Sequence, residues 1–365
     1  MIFSSWNVRG LRGDGKKRMV KDLRNKHRLQ MLGLIETKRQ ILTRFDVTCI
    51  WGQGSPGWEY VGSDGASGGL LLMWDEEVFK VNNCYQGERW LCAEGVILKN
   101  SFNCAFVLVY GAHDRDEKIH VWEELSYIAG LCQVPCCFMG DFNEIVHVEE
   151  RKGGTGLTRS TEDFKFWIQD MNLVDLPLTD RKFTWFRGQS CSRIDRVLVS
   201  VEWLEEFPEA HLRPRGLSDH CPLIVEGRKL RGGPRPFRSL DSWFTHEGFL
   251  RMVREEWRGL GELQFTDKLK ALTEPLGRWH KANFGEMDKK ITKFEEEIKR
   301  IDDMVSNGVH DGTLEARRKA LVKCCERWYA RKEYYPLLPT RRGDYQELQE
   351  AIAILRVDVR SEYQF

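Results

Sequence analysis

Along the first 226 positions, apolar residues come in short runs that stop abruptly at polar or glycine-rich segments, the pattern of strands buried in a core. Ile2 to Val8, Met31 to Ile35, Val134 to Phe138 and Leu223 to Val225 are runs of this kind. Between positions 58 and 110 five more alternate with turn signals: Trp58 to Val61, Leu70 to Trp74, Val78 to Val81, Ala93 to Leu98 and Phe102 to Tyr110. That spacing predicts antiparallel strands stacked as a sheet. Helical spacing recurs at Met19, Val20 and Leu23, at Ile119, Trp122, Leu125, Ile128 and Leu131, and at Phe164, Trp167, Ile168 and Met171. These are read as core faces. Phe183 to Phe186 and Ile194 to Val199 predict two strands joined by a loop containing Gly188 to Arg193. The glycines at 62, 65, 68 and 69 fit a hairpin and lack the Lys and Ser or Thr of a phosphate-cradling loop.

After Glu226 the character changes. Residues 227–240 are rich in Gly, Pro and Arg and read as a linker, and 241–365 read as a helical connector. Ile291, Phe294, Ile298, Ile301 and Val305 form one stripe, and Leu314, Leu321, Cys325 and Trp328 another, which predicts an antiparallel helical hairpin over 279–334. Its charged faces are expected to be solvated.

Composition narrows the possibilities. With 56 Lys and Arg against 55 Asp and Glu, the chain is not a bulk polycation that binds nucleic acid by net charge. Residues 1–226 are acidic, with 28 basic and 32 acidic side chains, which suits a carboxylate-rich site holding a cation. The eleven cysteines show no Cys-x-x-Cys spacing and are read as reduced thiols. No apolar run reaches membrane-spanning length, and the start lacks the regions of a signal peptide, so a soluble protein of nucleus or cytoplasm is expected.

The candidate chemistry sits where the strands end. Gly140-Asp141-Phe142-Asn143 follows an apolar run, and in an extended chain Asp141 and Asn143 would face the same side. Alone, it reads equally well as a polar turn. Asn7 after the first strand could likewise be a turn asparagine, and Tyr110 an interfacial aromatic. Glu36, directly after Met31 to Ile35, must leave the core or find a partner such as a divalent cation. Asp195 lies inside an apolar strand and calls for a fixed partner, for which a histidine is plausible. Ser218-Asp219-His220 precedes the last strand.

In order and residue type, Trp6-Asn7, Ile35-Glu36-Thr37, Tyr110, Gly140-Asp141-Phe142-Asn143, Arg193-Ile194-Asp195 and Ser218-Asp219-His220 together resemble the endonuclease/exonuclease/phosphatase superfamily over residues 1–226. The resemblance implies an α+β fold: a four-layer α/β/β/α sandwich, two mixed sheets face to face with helices outside, here with a C-terminal helical extension. Within that superfamily, Ser67-Gly68-Gly69-Leu70 with Trp74, Phe183-Thr184-Trp185, and Ser192 to Ser200 are most similar to the endonuclease region of plant LINE-type retrotransposon polyproteins. Pro236-Phe237-Arg238, Trp243 and Trp279 to Ile298 resemble the connector before their reverse transcriptase, and no Tyr-x-Asp-Asp occurs, as expected of a fragment truncated before that enzyme.

The resemblance assigns roles. Glu36, with Asn7 nearby, would hold Mg²⁺, for which Mn²⁺ could substitute, and Asp141 and His220 are also candidate ligands. Asp141 would deprotonate the attacking water, with Asn143 holding that water or the metal shell. His220, positioned by Asp195, would face the phosphate as imidazolium. Tyr110 would donate to the phosphate or assist the leaving oxygen, and Asp219 would belong to the metal site or its surroundings. Arg9 stands where many abasic-site repair relatives carry an acidic residue, and the loop from Arg187 to Ser192 is short. The first removes one metal contact and weakens a two-metal reading; the second, with Ser192 rather than an aromatic before Arg193, favours nicking of intact DNA over repair. Arg115, Arg187 and Arg193 are candidate phosphate contacts. The expected activity is a Mg²⁺-dependent nick leaving a 3′-hydroxyl, with DNA as substrate and a reverse transcriptase or retroelement ribonucleoprotein as partner. The competing readings are an abasic-site or other phosphoesterase, and an inactive fragment serving as a binding module.

Overall fold

In a computed structural model, the chain is described over residues 1–226, apart from 53, 66, 154–157, 180, 189, 209 and 215–217, and over 243, 246, 248–309 and 312–333. The linker expected at 227–240 and the stretch after 333 lie outside the described residues. Two compact units are present: residues 1–230 with 294–326, and 231–293 with 327–365.

The first unit opens with β1 (Phe3–Asn7), α1 (Asp14–His27), β2 (Met31–Ile35), α2 (Arg44–Trp51), β3 (Gly57–Val61) and β4 (Leu70–Trp74). The helical crossover α1 lets β1 and β2 run parallel, with Asn7 opposite Ile35. Next come β5 (Phe79–Gln86), β6 (Trp90–Ile97), β7 (Phe102–Tyr110), α3 (Arg115–Cys132) and β8 (Cys136–Asp141). Again a helix joins a parallel pair, β7 and β8, with Tyr110 opposite Asp141. The chain continues through β9 (Arg151–Lys152), α4 (Arg159–Asp170), β10 (Leu173–Asp175), β11 (Trp185–Arg187), β12 (Ser190–Ser192), β13 (Asp195–Ser200), α5 (Val201–Glu206), β14 (His211–Pro214) and β15 (Leu223–Glu226).

These strands make two six-stranded mixed sheets, ordered β14-β15-β1-β2-β4-β3 and β10-β13-β8-β7-β6-β5. The strands between 58 and 110 therefore divide between two sheets, whereas the turn spacing predicted a single one. β4, apolar at every position, pairs with β2 and is drawn into the first sheet. Phe3, Met31 and Ile35 from one sheet and Phe106, Leu108 and Met139 from the other share a single buried core. Gly33 marks the close approach of the sheets, since a Cβ there would lie 2.5 Å from a Leu108 methyl. Trp122, Leu125, Phe164 and Trp167 of α3 and α4 cover the outer face of the second sheet. Leu32 and Leu34, on the face of β2 opposite Met31 and Ile35, are fully buried as well. The result is the α+β sandwich expected.

The segment from Arg187 to Ser192 is not a free loop. β11 and β12 form a hairpin that extends onto β9 as a small three-stranded sheet. Phe186 and Cys191 supply its buried apolar side chains.

Beyond these lie α6 (Phe249–Gly259), α7 (Phe265–Ser306) and α8 (Gly312–Glu333). Within the first unit, Arg317 of α8 meets Glu297 of α7 at 2.6 Å. Ile298, Ile301 and Cys325 are buried, as the stripes predict. The charged faces are not wholly solvated, however: Asp302 is 1% exposed and Arg318 8%. In the second unit, Trp243, Phe249, Leu272, Leu276 and Phe284 cluster, and Trp243 donates to His280 Nδ1 at 3.2 Å. No described helix is long and apolar enough to cross a membrane, and all eleven cysteines are free.

Candidate active site

Each six-stranded sheet has one parallel strand pair, and the C-terminal ends of both pairs converge. β1 ends at Asn7, β2 runs out into Glu36, β7 ends at Tyr110 and β8 at Asp141. Asn7 lies between the two carboxylates and donates its amide to Glu36 Oε1 at 2.9 Å and to Asp141 Oδ2 at 3.0 Å. Its carbonyl oxygen accepts from the Arg9 backbone N–H at 3.1 Å, which fixes that orientation, because the flipped amide would set donor against donor.

Asp141 owes its position to the preceding glycine. Gly140 has φ 152°, and a Cβ there would fall 2.0 Å from the Val109 carbonyl oxygen of the neighbouring strand. After Asp141 the strand stops. Asn143 adopts φ 52°, donates its backbone N–H to Asp141 Oδ1 at 3.0 Å and donates its side-chain amide to the Gly111 carbonyl at 2.7 Å. The expected two-residue alternation of Asp141 and Asn143 on one extended strand is thus replaced by a tight turn around the Asp141 carboxylate.

Asp195 begins β13, directly opposite Asp141. Its N–H and that of Ile194 both donate to Thr184 Oγ1, at 3.1 and 3.2 Å. His220 Nδ1 sits 3.0 Å from Asp195 Oδ1 and 3.8 Å from Asp141 Oδ2. Trp6 Nε1 donates to the His220 carbonyl at 3.1 Å, and an antiparallel bridge joins His220 to Trp185. With Nδ1 held by carboxylates, Nε2 is the nitrogen that can meet a substrate.

Burial and charge set the protonation states. Burial pushes the Asp141 carboxyl up to about 7, against the opposing pull of His220. For His220, burial disfavours the imidazolium, but Asp195 and then Asp141 outweigh it and raise the pKa to about 9. Glu36 is held below its usual range: burial acts upward, while the Asn7 hydrogen bond, Arg9 and Lys38 together prevail downward. Burial, followed by the Glu36 and Asp141 charges, pushes the Tyr110 phenol up, so it stays protonated.

The structure therefore gathers Asn7, Glu36, Tyr110, Asp141, Asp195 and His220 at one place. Asp219 lies beside them with its carboxylate turned to Arg9 Nε at 2.8 Å. Of the three arginines noted as phosphate contacts, two are engaged by other carboxylates, and Arg187 stands on the strand whose Trp185 bridges to His220. Arg193 is held by Asp175 at 2.8 Å and Glu150 at 3.3 Å, Arg115 pairs with Asp163 at 2.7 Å, and Arg187 is exposed on β11. A cleft missed in the sequence also borders the site, lined by Arg9, Arg12 and Lys16 around the start of α1, by Lys38 after β2 and by Glu326; Arg9, Lys16 and Lys38 pair with Asp219, Glu326 and Glu36. Its signal was the run of cations on both sides of Gly10 and Gly13, between the apolar run ending at Val8 and the helical spacing that starts at Met19.

Glu36 and Asp141 both lie within 3.0 Å of one amide nitrogen, and ligand atoms of Asp141, Asp195 and His220 fall within 4.8 Å of one another. Buried carboxylate oxygens in that number suit a hard divalent cation. The residues present fit such an ion.

Several solved structures are similar to the chain. The 3′ phosphatase NExo from Neisseria, solved with a product DNA hairpin, superimposes with a TM-score of 0.50 at 16% identity, covering 62% of this chain and 99% of that one. An AP endonuclease from Archaeoglobus fulgidus gives 0.48 at 13% identity over 62% and 99%. A mannosyl-6-phosphatase from Bacteroides thetaiotaomicron gives 0.41 at 15% identity over 62% and 98%. No curated protein sequence matches the chain. Residues 4–220 match the endonuclease/exonuclease/phosphatase family model, and the chain belongs to that family of phosphoester hydrolases.

Proposed function

We propose that the protein is a Mg²⁺-dependent DNA endonuclease that nicks one strand of intact duplex and leaves a 3′-hydroxyl. The observation that carries this reading is the convergence of Asp141, Asp195 and His220 on one side of Asn7 with Glu36 on the other. Members of the family generally depend on a divalent metal. A divalent ion, with Mn²⁺ as a substitute for Mg²⁺, would be held by Glu36 and Asp141 beside Asn7, and when bound supplies Lewis-acid polarisation of a phosphate oxygen.

The chain's own residues do the rest. Asp141 takes a proton from a water held by the turn at Asn143, and that water's oxygen bonds to phosphorus. His220, kept charged by Asp195, faces the phosphate and offsets the growing negative charge. The P–O3′ bond breaks, and Tyr110, kept protonated by its surroundings, donates to the departing 3′ oxygen. The products are a 3′-hydroxyl and a 5′-phosphate.

The cleft of Arg9, Arg12, Lys16 and Lys38 supports a polyanionic substrate, because phosphates flanking the cut need cations beside the site. The motifs Ser67 to Leu70, Phe183 to Trp185 and Ser192 to Ser200 support the finer reading, cleavage of a chromosomal target in the nucleus for a LINE-type retroelement of plants. The 3′-hydroxyl would then prime a reverse transcriptase carried by another polypeptide or ribonucleoprotein. On this reading residues 1–226 form the catalytic domain, 227–240 a linker and 241–365 the connector.

The test is nicking of supercoiled plasmid with Mg²⁺ by the wild type, by Asp141→Ala and in the presence of EDTA. Nicking lost in both controls supports the reading. An intact plasmid after treatment with folded wild type overturns it, and a strong preference for a duplex bearing an abasic site would move the assignment to repair.

A further inference from the structure

Asp302 and Arg318 belong to the helical hairpin, outside the stretch 4–220 matched by the family model, and both are buried within the first unit. Arg318 Nε donates to Asp302 Oδ1 at 2.6 Å, and Arg318 also donates to the Ser218 carbonyl at 2.6 Å. Arg181 pairs with the other oxygen of Asp302 and lies 3.7 Å from the Cys221 sulfur. A buried guanidinium thus grips the backbone two residues before His220, while its neighbour touches the residue after it.

A second contact reaches the same segment. The Arg318 guanidinium lies 5.5 Å from the centre of the Phe186 ring. Phe186 donates its N–H to the Asp219 carbonyl at 2.9 Å, and Cys221 donates to the Thr184 carbonyl at 2.7 Å. Ile301 and Val305 of α7 pack with Phe183, Phe186 and Cys221. The segment carrying Asp219 and His220 is therefore held both by β11 and by the hairpin.

Burying three charges costs more than burying apolar groups of the same size, so stability alone gives no reason for this arrangement. What a buried guanidinium provides that an apolar side chain does not is a fixed direction for the carbonyl that it holds. We propose that Arg318, fixed by Asp302, is a positioning residue for the hydrolytic site, and that the helical hairpin completes that site from behind. The inference rests on the proposed hydrolysis for its activity readout, and on the backbone geometry for a second readout that needs no activity.

The experiment uses the full chain. Arg318→Met leaves Asp302 paired with Arg181, so the remaining charges stay balanced and the fold is expected to persist. kcat for nicking of supercoiled plasmid should fall about tenfold or more while KM stays within about twofold, since displacing a reacting group lowers turnover more than binding. Arg318→Lys should recover part of the loss. Independently, the amide hydrogens of Phe186 and Cys221 should exchange faster in Arg318→Met than in the wild type, and amides in β2 should not. Asp302→Asn serves as the second variant should Arg318→Met fail to fold. Unchanged exchange at Phe186 and Cys221, or wild-type kcat in a folded variant, overturns the proposal. A wild type that cuts no phosphodiester overturns the endonuclease reading instead, and the exchange measurement still decides the positioning role.

Discussion

The Arg9 guanidinium lies 2.8 Å from Asp219 Oδ2, at the edge of the cluster formed by Asn7, Glu36 and Asp141. Asp219 is held below its usual pKa range, with burial acting upward and His220 and Arg9 together pulling it down. Arg9 therefore occupies a carboxylate that would otherwise be open to a cation, and adds positive charge where a phosphate would lie. Its conformation, φ 54°, is one that Asn tolerates better than most residues. Arg9→Asn is expected to lower the Mg²⁺ concentration for half-maximal nicking by a few fold and to raise KM for duplex. The effect is modest because the pair is partly exposed and screened. Activity titrated against Mg²⁺ checks it, and an unchanged midpoint would show that Asp219 is indifferent to the ion.

The pH profile follows from the Asp141 and His220 pair. In the proposed mechanism, activity requires Asp141 ionised and His220 protonated. Asp141 is raised to about 7 and His220 to about 9, so kcat/KM should rise through the first value and fall through the second. The two apparent constants belong to the pair rather than to either residue. A bound cation favours the carboxylate, so raising Mg²⁺ should move the acid limb to lower pH and leave the alkaline limb nearly in place. In Asp195→Asn the main group opposing burial at His220 is lost, and the alkaline limb should move down. Were that limb to stay at about 9, Asp195 would not be what keeps the imidazole charged.

Gly140 offers a structural test. With φ at 152°, and only 2.0 Å between the position a Cβ would take and the Val109 carbonyl oxygen, no room is left for a side chain between β7 and β8. Gly140→Ala must push the strands apart one residue before Tyr110 and Asp141, at a cost of about 1–3 kcal/mol for overpacking. Both stability and nicking should fall. A denaturation midpoint equal to that of the wild type would mean that the strands have slack at this point.

What could be read from the sequence depended on how local the cause was. Asn7, Glu36, Tyr110 and Asp141 stood out because each closes an apolar run, and Asp195 because it interrupts one. The turn at Asn143 escaped, since an Asp that caps its own following N–H looks the same in sequence as two polar residues on one strand face. Arg187 to Ser192 escaped because its strands are three residues each, too short to show a period. Asp302 and Arg318 were visible in principle. Asp302 falls on the stripe of Ile298, Ile301 and Val305, and Arg318 on that of Leu314, Leu321 and Cys325, so each charge occupied a core position. Their partners, Arg181 and Ser218, are 121 and 100 residues away in the chain, beyond the reach of any periodicity.

Thr184 links the fold to the chemistry. It is fully buried, and its hydroxyl accepts from the N–H groups of Ile194 and Asp195, where β13 starts. Replacing that hydroxyl by a methyl keeps the shape and removes the acceptor, leaving two buried donors without it. Each unsatisfied group costs about 1–3 kcal/mol. Thr184→Val is therefore expected to lower the denaturation midpoint and, because Asp195 is the carboxylate that holds His220 Nδ1, to reduce kcat in the fraction that remains folded. Thr184→Ser keeps the acceptor and loses only a methyl, so it should retain most of the turnover. The comparison is made by urea denaturation and single-turnover nicking of the three chains. Equal rates for Val and Ser variants, with only stability differing, would confine Thr184 to holding the fold and leave Asp195 to other supports.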